Sequence, residues 1–122
     1  MSTSDIAVKV VKMTIVTLAL LAIAGCEIVL RENRLINSPE GDRIISAYYD
    51  CAMEEARAIA HKNASASQLA GVAVSRCGRE EQAVVELIDR AFPDSEYYRS
   101  EATKRSRQTA YQLALSWIAR GR

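Results

Sequence analysis

Cys51 and Cys77 stand thirteen residues on either side of Ala64, and the residues around Ala64 read as a reversal between two helices. His61-Lys62-Asn63 closes the first, with cationic side chains suited to the negative end of a helix and an Asn that tolerates a left-handed cap. Ser65 with Gln68 three positions later has the form of a capping box opening the second. An antiparallel hairpin turning here brings the two sulfurs to the same height. A bridge between them would enclose the twenty-five residues 52–76 and, in the loop-entropy model, contribute about 3–4 kcal/mol. For a domain under about a hundred residues that is a large share of the net stability. The same spacing also fits two separately buried cysteines, because sulfur pairing requires facing side chains.

The remaining punctuation also favours helices. Only five Gly and two Pro interrupt 122 residues that are 49% hydrophobic and 25% charged, a composition that folds but offers few of the turns a strand-rich domain requires. Ser38-Pro39-Glu40 predicts a helix start, with Ser as cap, Pro at the first helical position, and Glu40 and Asp42 at the positive end of the dipole. Ile45, Tyr48, Ala52, Ala56 and Ile59 then fall on one apolar stripe. A second helix is expected over residues 66–92, with Leu69, Ala73, Cys77, Val84, Leu87 and Ala91 on its apolar face and Pro93 as its stop. Within it Gly71 and Gly78 mark a close helix approach, or Gly78 marks a kink. Asp94-Ser95-Glu96 opens a third helix running to about Arg120, polar over residues 103–109 and then carrying Tyr111, Leu113, Leu115, Trp117 and Ile118. Leu113 and Trp117 are expected to cover the hairpin. The fold expected over residues 39–122 is therefore all-α, a small three-helix domain built on a disulfide-stapled antiparallel helical hairpin.

The N-terminus has a different character. Lys9 and Lys12 precede the uncharged run from Met13 to Ala24, the layout of an export signal. Twelve residues of helix reach about 18 Å, short of a hydrocarbon core of about 30 Å. The run ends in Ile23-Ala24-Gly25-Cys26, which resembles the lipobox of bacterial lipoproteins. That resemblance implies that the Cys26 thiol receives a diacylglyceryl group, that a dedicated peptidase cuts before it, and that the new N-terminus is acylated. Residues 1–25 would then be a signal peptide and residues 26–38 the lipidated N-terminus and tether. Several acyl chains suffice for stable anchoring. Glu27 stands where an aspartate retains many such proteins at the inner membrane, so the resemblance favours the periplasmic face of the outer membrane.

Two other readings use the same residues. Ala22-Ile23-Ala24 fits the small-x-small pattern of ordinary signal peptidase, which would release a soluble chain starting at Gly25. Ile28-Val29-Leu30 extends the apolar stretch over residues 13–30, as in an uncleaved membrane anchor, although Glu27 opposes that. Cysteine number favours lipidation: three cysteines leave an odd thiol in an exported protein, and acylating Cys26 removes it. Cys51 and Cys77 would then share an oxidising compartment.

No activity can be read directly. A net charge of +1 gives no electrostatic case for nucleic acid. His61 is the sole histidine, and no nucleophile elbow, phosphate loop or zinc-type cysteine cluster accompanies it. Glu54-Glu55 and Glu80-Glu81 could face each other across the hairpin, but the Glu-x-x-His motifs of di-metal bundles are absent, so solvated helix faces explain them better. Asn63-Ala64-Ser65 fits a glycosylation sequon and is read as a turn. No cofactor, metal or catalysis is therefore expected. On the last helix Arg99, Lys104, Arg105, Arg107, Arg120 and Arg122 outnumber Glu96 and Glu101 by six to two. Lys104, Arg105 and Arg107 are candidate contacts to an acidic partner or anionic head groups, and replacing all three by Gln is expected to leave melting nearly unchanged. The favoured class is a binding or scaffolding component of the bacterial envelope that meets a protein partner. The alternative is a small ligand-binding or catalytic domain using Glu54, Glu55 and His61.

Overall fold

The structure is a computed structural model that describes Val29, Leu30 and residues 33–121. The chain divides into a unit Met1–Glu32 and a unit Asn33–Arg122; the second contains four helices, α1 (Pro39–Ile59), α2 (Ala66–Ser75), α3 (Gly78–Ala91) and α4 (Glu96–Arg120). The all-α fold with a disulfide joining its helices is as expected. The difference lies in the second helix, which is two helices separated at Arg76 and Cys77. Ser75, Cys77 and Gly78 are all weak helix formers, and the backbone tightens there, with Cys77 N donating to Val74 O at 3.0 Å in the manner of a 3-10 turn.

The helix starts follow the sequence closely. Ser38 caps α1 by accepting from Gly41 N at 3.0 Å, with Pro39 in the first turn. Ser65 and Gln68 form the reciprocal capping box of α2, and Ser95 caps α4 by accepting from Tyr98 N at 3.2 Å. The end of α1 is different. No non-glycine residue with a positive φ occurs among the described residues, so Asn63 is not a left-handed cap, and the chain instead turns through Lys62 N to Ile59 O and Ala64 N to Lys62 O, both at 3.0 Å.

Cross-links between α1 and the return limb set their direction. Glu55 pairs with Arg76, Cys51 with Cys77, Tyr48 with Glu81 and Glu40 with Arg90. Partner numbers rise along one limb as they fall along the other, so α2 and α3 together run antiparallel to α1. α4 then returns parallel to α1: Arg57 lies over Trp117, and a Cβ on Gly121 would stand 3.1 Å from that of Ala60.

The interior is lined by small side chains. Ala52 and Ala56 on α1, Ala70 and Ala73 on α2, and Ala110 and Ala114 on α4 are wholly buried. On α4 the buried residues Ala102, Ser106, Ala110, Ala114 and Ile118 recur every four positions, a ridge that lets the helix lie close to its neighbours. Of the polar stretch over residues 103–109, Ser106 alone lies in the core, its hydroxyl satisfied by donating to Thr103 O at 2.9 Å. Leu113, expected to cover the hairpin, is only partly buried. Trp117 does pack on the core cluster formed by Ala56, Ile59, Leu69, Ala70 and Ile118. Alanines supply little apolar area, so hydrophobic stabilisation falls mainly to Tyr48, Ile59, Leu69, Val84, Leu87, Ile88 and Ile118, each worth about 1.5–3 kcal/mol when buried.

Residues 33–38, expected as the end of a tether, fold onto the helices. Asn33 Oδ1 accepts from Leu35 N and Ile36 N, at 3.1 and 3.0 Å, while its Nδ2 donates to Ala91 O at 3.1 Å. This turn lays the carbonyls of Leu35 and Ile36 directly over Gly41, where any Cβ would collide with both. By contrast, a Cβ at Gly71 or Gly78 meets nothing within 4 Å, so neither marks a close helix approach. Gly41→Ala should thus destabilise the fold by about 1–3 kcal/mol through overpacking against backbone, whereas Gly71→Ala should stabilise it by about 0.5–1 kcal/mol through helix propensity. Urea unfolding midpoints of the two variants against wild type check both signs.

Candidate functional site

Cys51 and Cys77 form the expected bridge, with an S–S distance of 2.05 Å and Cα atoms 6.0 Å apart. It joins the middle of α1 to the break between α2 and α3, where Cys77 is wholly buried. The two Sγ atoms and a Glu80 carboxylate oxygen lie within 4.8 Å of one another. Metal binding by cysteine requires thiolate, which the bond consumes, so this trio has no ligand chemistry while the disulfide is intact.

One helical turn further along, Tyr48, Glu81 and Arg107 join α1, α3 and α4. Arg107 Nε donates to Glu81 Oε1 at 2.6 Å, and the Tyr48 hydroxyl makes a long 3.4 Å hydrogen bond to Glu81 Oε2. Tyr48 is wholly buried. Burial, reinforced by the neighbouring Glu81 carboxylate, pushes its phenol up to about 12, with Arg107 opposing. Burial likewise raises Tyr49. The Tyr48 ring is the largest wholly buried side chain of α1, and its hydroxyl reaches Glu81 on α3.

The residues singled out from the sequence are distributed as follows. Cys26 and the motif residues Ile23, Ala24 and Gly25 lie outside the described residues. Lys104 pairs with Glu101 at 3.6 Å, Arg107 is held by Glu81, and Arg105 is partly buried. Arg107 thus ties α3 to α4 through an ion pair with Glu81. Arg99 is similarly occupied, with Nη1 donating to Phe92 O at 2.7 Å and Pro93 O at 2.8 Å. Glu54 is exposed, Glu55 faces Arg76, and His61 lines a recess with Arg57 and Trp117. Glu55 and His61 thus have different neighbours, Arg76 for the first and the Arg57–Trp117 recess for the second.

Sequence reasoning missed the arrangement at the far end of the bundle. There Trp117 is flanked by Arg57, whose Cζ is 4.6 Å from the ring centroid, and by Arg120 at 5.6 Å. The recess beside them has a volume of about 300 Å³ and is lined by Arg57, Ala60, His61, Trp117, Arg120 and Gly121. Trp117 and Arg120 are three apart and could be paired on one helix face from sequence, but Arg57 comes from a different helix and carried no such signal. Among the described residues, no helix is long and apolar enough to cross a membrane. No family model, curated protein or solved structure matches the chain.

Two outcomes follow from the polar node. Because the folded Tyr48 phenol stays protonated to higher pH than an unfolded one, its stabilising contribution is complete below pH 10 and is lost as pH rises from 10 toward 12. The wild type should accordingly lose of order 2 kcal/mol more than Tyr48→Phe over that interval, as measured by urea titrations at pH 9 and 12. Arg107→Gln should lower stability by about 1 kcal/mol, whereas Lys104→Gln, at an exposed pair, should change it by less than about 0.5 kcal/mol. Thermal melts of the two single variants decide this.

Proposed function

We propose that this chain is a lipid-anchored component of a bacterial cell envelope, held by an acylated Cys26, whose helical domain faces the periplasm and binds or scaffolds a protein partner there. The observation that carries the proposal is the Cys51–Cys77 bond. Structural disulfides persist in exported proteins and are rare where thiols are kept reduced. With those two cysteines joined to each other, the third in the sequence is Cys26, at the position where the lipobox resemblance puts the lipid. Folding of residues 33–38 onto the bundle leaves residues 26–32 as the stretch between the anchor and the domain. Outer-membrane residence is favoured by Glu27, as the resemblance implies.

A binding role is favoured over catalysis by how the polar side chains are used. The carboxylates Glu40, Glu55 and Glu81 are engaged by Arg90, Arg76 and Arg107 in cross-links between helices, and Glu101 pairs with Lys104 within α4. The recess along the first half of α4 is lined by Glu96, Arg99, Ser100, Thr103, Lys104 and Arg107, an open stretch of helix surface. Helix faces of this kind suit recognition of another protein. Lys104, exposed on the outer side of α4, is the part of the basic stretch best placed to meet one.

Metabolic labelling with a clickable fatty acid tests the anchor. The wild type should be labelled, and Cys26→Ser should be unlabelled and accumulate with its N-terminal segment attached. An unlabelled wild type beginning at Gly25 would make the chain a released protein, and one with its N-terminus intact would make it an uncleaved membrane protein.

A further inference from the structure

The positive charge of α4 is used differently at its two ends. In the first half, Arg99, Lys104 and Arg107 are each bound to a carbonyl or carboxylate of the domain. At the other end, Arg57 and Arg120 converge on the ring of Trp117, and neither forms an ion pair among the described residues. His61 joins them in the recess, and none of the six residues lining it is acidic.

Each arginine is well placed to offset the negative end of its own helix, since both lie in a last turn. That does not account for their convergence from two helices onto one ring. A guanidinium stacked on an indole uses its face. Its N–H groups lie in the plane of the guanidinium and remain available for a second partner. Two guanidinium groups over one ring, with an imidazole beside them and no carboxylate among the residues lining the recess, offer donors that suit a tetrahedral oxyanion. Most of the recess surface is apolar, with the Trp117 ring and Ala60 among its lining. Beneath the site Trp117 packs on the core, and Gly121 lies where an added Cβ would stand 3.1 Å from that of Ala60.

We propose that this recess binds a phosphoryl group, gripped by the Arg57 and Arg120 guanidinium groups with His61 as a third donor, while the Trp117 ring shields one flank. The group can come from free phosphate or from the head group of an anionic phospholipid. This assignment does not depend on lipidation of Cys26, and each can fail without the other.

Trp117 is the only tryptophan in the chain, so its fluorescence reports the recess directly. The full chain, purified in detergent as the cell produces it, is titrated at constant ionic strength with inorganic phosphate, using chloride as control. In a parallel arm it is titrated with phosphatidylglycerol vesicles, using phosphatidylcholine vesicles as control. A saturable change with phosphate identifies the free anion as ligand; one confined to phosphatidylglycerol vesicles identifies the head group. In either case Arg57→Gln with Arg120→Gln should weaken the effective probe at least tenfold while helicity is retained. A second readout needs no variant: the effective probe should protect wild-type Trp117 from quenching by iodide. Responses that match the chloride and phosphatidylcholine controls would overturn the proposal, as would equal affinity in the double variant or unaltered iodide quenching at saturation.

Discussion

The covalent link between Cys51 and Cys77 fixes the middle of α1 against the one point where the return limb is not helical. Arg76 and Cys77 interrupt what would otherwise be a single long helix, and an unsecured break of this kind would let α2 and α3 swing independently. Bonding Cys77 to α1 removes that freedom. The two short helices then behave as one limb, and the ion pairs on either side of the bridge, Glu55 with Arg76 and Glu40 with Arg90, hold the same register. The bridge also restricts the unfolded chain, which matters in a domain whose interior seam is largely alanine.

That alanine seam and the bridge are complementary. Small side chains allow α4 to settle closely against α1 and α2, bringing dispersion contacts over a long stretch of backbone, but they remove little apolar surface from water. Polar groups crossing the seam are correspondingly few and satisfied: Ser106 bonds within its own helix, and Glu81 accepts from both Tyr48 and Arg107. Among the described residues, no buried side-chain nitrogen or oxygen is left without a partner. Such economy at the core leaves charge at the surface, where Arg57 and Arg120 meet over Trp117.

Much of the path of the chain was legible because it depends on local physics. Ser38, Ser65 and Ser95 each cap the helix that follows, as their side chains and neighbours imply, and the cysteine spacing about Ala64 does place the sulfurs together. Gly78 illustrates the limit. Its kink reading and its close-approach reading differ only in what lies opposite, which no spacing reveals; the open space around its Cα decides for the break. Residues 103–109 show the same limit from the other side. Counted by polarity they are a solvated run, yet Ser106 lies in the core, because a helix buries residues by angular position and tolerates a hydroxyl that can bond its own backbone.

The helical class and the starts capped by Ser38, Ser65 and Ser95 are thus properties of neighbouring residues and regular periods, and the sequence determined them by itself; the stop after Ser75 and the pairing of Cys51 with Cys77 it left open. The tertiary structure decided which glycine is obligatory, since only the fold lays the Leu35 and Ile36 carbonyls over Gly41. It also decided that Arg107 is a tie to Glu81 while Arg57 and Arg120 meet over Trp117. These are encounters between residues tens of positions apart. Lys104 finds Glu101 within its own helix, but for Arg76, Arg90 and Arg107 the carboxylate comes from another helix, and packing determined which one.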